Sequence, residues 1–172
     1  MANNTKSKAT EVVEEKKTKT FEPDDNIKCV SVTAGELLMV GKKTGILYKW
    51  ADYGDTAYVE YQDLKAEAYS SRSPYIYSPL FMIEDEDVLK SREFAKVAET
   101  YKNAVTVDEM EDFFKLSLQQ FKSTLKKLPN GIKDAVKAIA VDKINDGSLD
   151  SIQKIKAIDE VLGTELYNLL VS

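Results

Sequence analysis

The hydrophobic period changes once along this chain, and that change limits what the chain can fold into. From Ile27 to Ile83 the apolar residues come in short β-branched and aromatic runs: Ile27-Lys-Cys-Val-Ser-Val32, Glu36-Leu-Leu-Met-Val40, Ile46-Leu-Tyr-Lys-Trp50, Thr56-Ala-Tyr-Val-Glu-Tyr61 and Leu80-Phe-Met-Ile83. Turn residues bound these runs, as strands require. Beyond Glu84 the apolar residues recur at three- and four-residue spacing, the mark of amphipathic helices. The expected fold class is therefore α+β, with a small antiparallel sheet or open barrel followed by a C-terminal helical bundle.

The first 26 residues are rich in Lys, Glu, Thr and Ser and carry few apolar side chains. Such a segment does not bury enough surface to offset its ordering entropy. Residues 1–26 read as a disordered or extended arm; if it orders against a neighbouring subunit, Val12, Val13 and Phe21 are its anchors. A β-rich module over 27–85 and an α-helical module over 86–172 follow. Within the first, Gly41-Lys-Lys-Thr-Gly45 reads as a hairpin loop and Asp52-Tyr-Gly-Asp55 as the next turn. A short helix is expected over 62–69.

In the helical module, the acids from Glu84 to Asp87 suit a helix N-terminus, and that helix is expected to reach about Lys102. Thr106-Val-Asp-Glu109 has capping-box spacing. It precedes a helix with Met110, Phe113, Phe114, Phe121, Leu125 and Leu128 on one face. Pro129-Asn-Gly131 and Asn145-Asp-Gly147 interrupt the pattern, and Asp150 with Gln153 offers another capping pair. The stripes Ile132 to Ile144 and Ile152 to Leu162 then complete an antiparallel bundle, with a short last helix around Leu169 and Leu170.

Histidine is absent and cysteine occurs once, at Cys29. These two facts exclude Ser-His-Asp and Cys-His catalysis, His-containing zinc and iron sites, thiolate-cluster metal sites and an internal disulfide. No catalytic, cofactor-binding or metal-ligating residue is assigned, and the chain reads as a non-enzyme. The net charge of -5 gives no overall field to gather phosphates, so nucleic acid is a poor expectation as partner. With no signal-like or membrane-spanning apolar run, synthesis in a reducing cytosol is expected.

Three motifs fall short of chemistry. Gly41-Lys42-Lys43-Thr44 suggests a phosphate loop, but Glu36 stands where the motif needs glycine, and a strand follows. Asp142 to Gln153 approaches a calcium loop, with Ile144 at a ligand position and Gln153 where a bidentate Glu belongs. Asp52, Asp55, Glu60 and Asp63 are read as surface turn acids, the alternative being a carboxylate-based enzyme.

The β-rich module is dense in aromatics, and the residues between them are acidic or neutral, which disfavours a base-stacking platform. Core packing and a protein-binding surface both remain open. Trp50, Tyr53 and Tyr58 join Val12, Val13 and Phe21 as candidate protein-interaction residues. Cys29 is expected in the core. A Lys-rich helical stretch, Lys115, Lys122, Lys126, Lys127, Lys133 and Lys137, supports an alternative: a soluble regulator that binds a partner protein or nucleic acid.

Three stretches, Phe21-Glu-Pro-Asp-Asp with Ile27-Lys-Cys-Val-Ser-Val-Thr33, Tyr48-Lys-Trp-Ala-Asp to Gln62-Asp-Leu64, and Ser78-Pro-Leu-Phe-Met to Asp87, together resemble small virion structural proteins of tailed bacteriophages infecting Gram-positive bacteria. The resemblance covers roughly residues 21–90 and carries no catalytic or binding residue with it. It implies a capsid- or neck-associated component, present in several copies or as a homo-oligomer, that binds other virion proteins.

Overall fold

A computed structural model describes residues 19–171. Helices hold 49% and strands 14%, so the chain is α+β. The strand at the centre is β1 (Asn26–Ser31). The hairpin strands β2 (Leu37–Val40) and β3 (Leu47–Trp50) come next in the chain, and β4 (Thr56–Glu60) and β5 (Phe81–Ile83) flank β1 antiparallel on either side. The hairpin is a separate two-stranded sheet, so the β layer is a pair of small sheets and not a closed barrel.

Strand alternation decides what each face of the three-stranded sheet meets. Ile27 and Cys29 on β1 share a face with Val59, Phe81 and Ile83. That face is covered by Met39, Tyr48 and Trp50 of the hairpin, by Leu64 of α1 (Tyr61–Tyr69), and by Ile76 of α2 (Pro74–Tyr77). Val88 of α3 (Glu86–Lys90), Phe94 of a single 3-10 turn (Arg92–Phe94) and Val97 of α4 (Ala95–Tyr101) complete the same core. Packing therefore places these three residues with the sheet, although their spacing is helical.

Beyond Val105 the core is helical. It joins α5 (Met110–Lys115), α6 (Leu118–Lys127), α7 (Asn130–Asn145) and α8 (Ile152–Leu162), through Phe113, Phe121, Leu125, Ile132, Val136, Ile155 and Ile158. A last turn, α9 (Asn168–Val171), ends the described chain. Val32 and Met82, from the opposite side of the sheet, belong to this helical core. Tyr101 packs against both cores, and its hydroxyl accepts the Ile83 amide at 3.1 Å.

Two expected helices are broken, each at a serine. The helix from Glu86 stops at Ser91, which is extended (φ -70°, ψ 152°) and donates its hydroxyl to the Val88 carbonyl at 2.7 Å. A short hydroxyl side chain can replace a helical backbone bond in this way, and the break turns Phe94 into the sheet core. The helix from Met110 stops before Ser117, whose hydroxyl caps α6 by accepting from the Gln120 amide. The cap of α8 is likewise Ser151, accepting from Lys154, and not Asp150. Ile152, assigned to the apolar stripe, is exposed.

At Gly131, α7 comes against the backbone of Ser78 and Pro79, which lead into β5. A Cβ there would lie 2.0 Å from the Pro79 carbonyl oxygen and 2.2 Å from that of Ser78. Neither backbone oxygen is the end of a flexible side chain. Gly131→Ala is expected to cost about 3 kcal/mol in urea unfolding. A change under about 0.5 kcal/mol, the range of an ordinary surface substitution, would show that α7 is not seated on that backbone.

Candidate functional site

The hairpin is held in place by one carboxylate. Asp63 lies on α1 with no exposed surface, beneath the loop Gly41-Lys42-Lys43-Thr44-Gly45. Its Oδ1 accepts from the Lys43 amide at 2.7 Å and the Thr44 amide at 3.2 Å. Its Oδ2 accepts from the Thr44 hydroxyl at 2.5 Å and the Tyr48 hydroxyl at 2.8 Å. The Tyr48 hydroxyl also accepts from the Glu60 amide, so this cluster joins β3, the loop, the end of β4 and α1. Burial by itself would push the Asp63 carboxyl up. The donors from Thr44, Lys43 and Tyr48 outweigh it and hold the carboxyl below its ordinary value.

Gly41 is required by the same contact, since a Cβ there would stand 2.1 Å from Asp63 Oδ2. The loop that suggested phosphate binding does cradle an anion, but the anion is the protein's own side chain. One turn along α1, Glu67 is also buried and pairs with Lys42 at 3.0 Å. Of the four acids read as surface turn residues, Asp52 and Asp55 do sit in turns and accept backbone amides. Asp63 does not fit that reading. No local pattern marks it, because its donors lie about twenty residues away in sequence.

With the inner side chains Leu37, Met39, Tyr48 and Trp50 turned into the core, alternation puts Leu38, Val40, Leu47 and Lys49 outward. Val40 faces Leu47 and Leu38 faces Lys49 across the hairpin. Leu38 is 44% exposed, Val40 59%, Leu47 59%, and Ile46 at the loop 41%. Lys49 forms an ion pair with Glu36 at the edge of this apolar face.

The aromatic residues assigned to interaction divide. Trp50 is fully buried, stacked on Phe81 at 4.9 Å, and its Nε1 donates to the Cys29 carbonyl. It is a core residue, because its place in the strand alternation points it inward. Tyr53 is half-buried against the helical core, and burial, with Asp108 and Glu111 nearby, pushes its hydroxyl up to about 12. Phe21 stacks on Tyr61 of its own chain at 5.2 Å, so in this structure it is anchored in cis. Tyr58, for which core packing and a contact surface were both open, is exposed. Val12 and Val13 lie outside the described residues. Cys29 is in the core, and burial raises its thiol well above the usual range.

The sheet face that carries Tyr58 opens into a cleft of about 780 Å³. Val30, Thr56 and Met82 form its floor; Tyr101, Lys102 and the segment to Glu109 form a wall; Lys28, Glu84 and Asp108 bring charge to it. Lys28 and Glu84 are ion-paired at 2.7 Å, and Glu109 accepts from the Thr106 amide and hydroxyl. On the helical side, Lys115, Lys122 and Lys137 pair with Asp112, Glu160 and Asp134, which reduces the basic face there. Among the described residues no three metal-ligating side chains gather, and no helix is long and apolar enough to cross a membrane.

Asp63→Ala is expected to cost about 3 kcal/mol, since it orphans donors that a buried charge had satisfied. Because the folded carboxyl titrates below its ordinary value, its contribution is present above about pH 4. It is lost as the pH falls through the lower folded value, so Asp63→Asn should flatten the acid limb of stability against pH. An unchanged acid limb in that variant would count against the clamp. Comparison with protein-family models, with curated proteins and with solved structures finds no match.

Proposed function

We propose that this chain is a non-catalytic structural component of a tailed-phage virion, contacting neighbouring capsid, portal or tail subunits through the outer face of the β2–β3 hairpin. The observation that carries the reading is the apolar face of Leu38, Val40, Ile46 and Leu47, exposed together on one small sheet. Contiguous apolar surface of this kind marks contact sites more often than solvated ones. The face is also held rigidly: Tyr48 and Asp63, which lie in the stretch resembling phage proteins, tie the hairpin to α1. A preorganised face loses little entropy on binding.

A stable interface takes about 800 Å² from each partner, more than four side chains supply, so the hairpin is one contact among several. That suits a subunit present in many copies, where exposed Tyr58 and the N-terminal arm add further contacts. The regulator reading has less support, because three of its six lysines are already paired with carboxylates.

Val40→Lys with Leu47→Lys tests this, since both side chains are largely exposed and their replacement leaves the core intact. The double variant should keep its unfolding midpoint but fall about tenfold in copies per purified particle, the effect of losing about 1.4 kcal/mol of contact. Light scattering should show the same loss of self-association if the partner is a second copy. Incorporation at the unaltered level, or absence of the parent protein from particles, would overturn the proposal.

A further inference from the structure

The second face of the three-stranded sheet is laid out in rows. Thr56, Val30 and Met82 share one row across the strands, and Tyr58, Lys28 and Glu84 form the next row out. Val30 and Met82 are buried at the floor of the cleft, whereas Tyr58 is exposed beside its mouth. The wall opposite is fixed at both ends. The Tyr101 hydroxyl holds the Ile83 amide of β5, and Val107 lies on the turn at Gly54, where a Cβ would come within 3.4 Å of it. Glu109 accepts from both the amide and the hydroxyl of Thr106, which fixes the turn that carries Asp108.

Most of the charge around the cleft is cancelled within the chain. Lys28 pairs with Glu84, and Lys102 with Glu99. Asp108 is different: among the described residues no hydrogen bond or ion pair holds its carboxylate, although its charge acts on Lys28 and Tyr53. Glu109 beside it has amide and hydroxyl donors but no cation. The cleft, whose volume of about 780 Å³ falls in the range of binding pockets, therefore sets an uncancelled negative charge on its wall above an apolar floor of Val30, Val32 and Met82. A group that matches both lays a carbon chain on the floor and brings a positive head to Asp108. Arginine and lysine side chains have that form, and the planar fork of arginine takes two oxygens at once. Exposed Tyr58 offers an aromatic surface to the backbone that carries such a side chain, as protein contacts commonly do. That favours a polypeptide over a free amine.

We propose that the cleft receives an arginine or lysine side chain of a partner protein, its carbon stem on Val30 and Met82 and its charged head at Asp108. The site lies across the three-stranded sheet from the hairpin, so the two surfaces select different chemistry, one apolar and one basic. It depends neither on the hairpin contact nor on the particle in which the protein resides.

Methyl resonances of the full chain test the site, since Met82 lines the cleft and Met39 belongs to the other core. A Leu-Arg-Leu peptide blocked at both ends should shift Met82, leave Met39 in place, and bind about tenfold more tightly than a blocked Leu-Glu-Leu peptide. Asp108→Asn keeps the bonds between Thr106 and Glu109, so its unfolding midpoint should hold. Its affinity for the arginine peptide should fall about tenfold, and added salt should weaken the parent contact as well. Equal binding of the two peptides, an unaltered affinity in the variant, or no Met82 shift up to roughly 10 mM peptide would each overturn the proposal. Hexylammonium carries a positive head and a carbon stem without a peptide backbone. If it shifts Met82 and the arginine peptide does not, the cleft takes a free amine and the assignment to a partner protein fails.

Discussion

Asp63 brings a charge to a place without exposed surface, and four donors converge on it. Three of the donors belong to the hairpin loop, and the fourth, Tyr48, to the strand that follows it. The two-stranded sheet shares no ladder with the three-stranded one, and a lone hairpin is only marginally stable in water. The carboxylate supplies the missing attachment, together with the burial of Met39 and Trp50. Outward display of Leu38, Val40 and Leu47 follows from it, because strand alternation turns them out once the inner side chains are seated.

The three-stranded sheet is a wall between two cores. Cys29 and Ile83 face the hairpin and α1, while Met82 faces the helices. Tyr101 packs on both sides, and Gly131 lets α7 come against the backbone of Ser78 and Pro79. The helices cover only part of the second face. The uncovered remainder, from Thr56 to Lys28 and Glu84, becomes the cleft.

Much of this was legible in the residues. Among the described residues all five strands fall where the β-branched and aromatic runs stand, and the helices beyond Met110 follow the 3.6-residue stripes. The breaks at Ser91 and Ser117 were not legible. A serine tolerates a helix interior and also ends one, and only the pull of Phe94 into the sheet core and the turn between α5 and α6 selected the second. Trp50 could be read as core or contact; its register opposite Leu37, with Phe81 beneath it, settled it as core. Asp63 had no local signal, since its charge is satisfied only by groups distant in sequence.

By itself the sequence determined the α+β class, the order of the elements, and the exclusion of histidine and multi-thiolate chemistry. Those follow from composition and from periods that repeat within a few residues. The tertiary structure alone decided which acid is buried, which aromatics face solvent, and where the uncovered sheet face forms a cleft. Each of these depends on which distant segments come to share a face, and a local period carries no record of that.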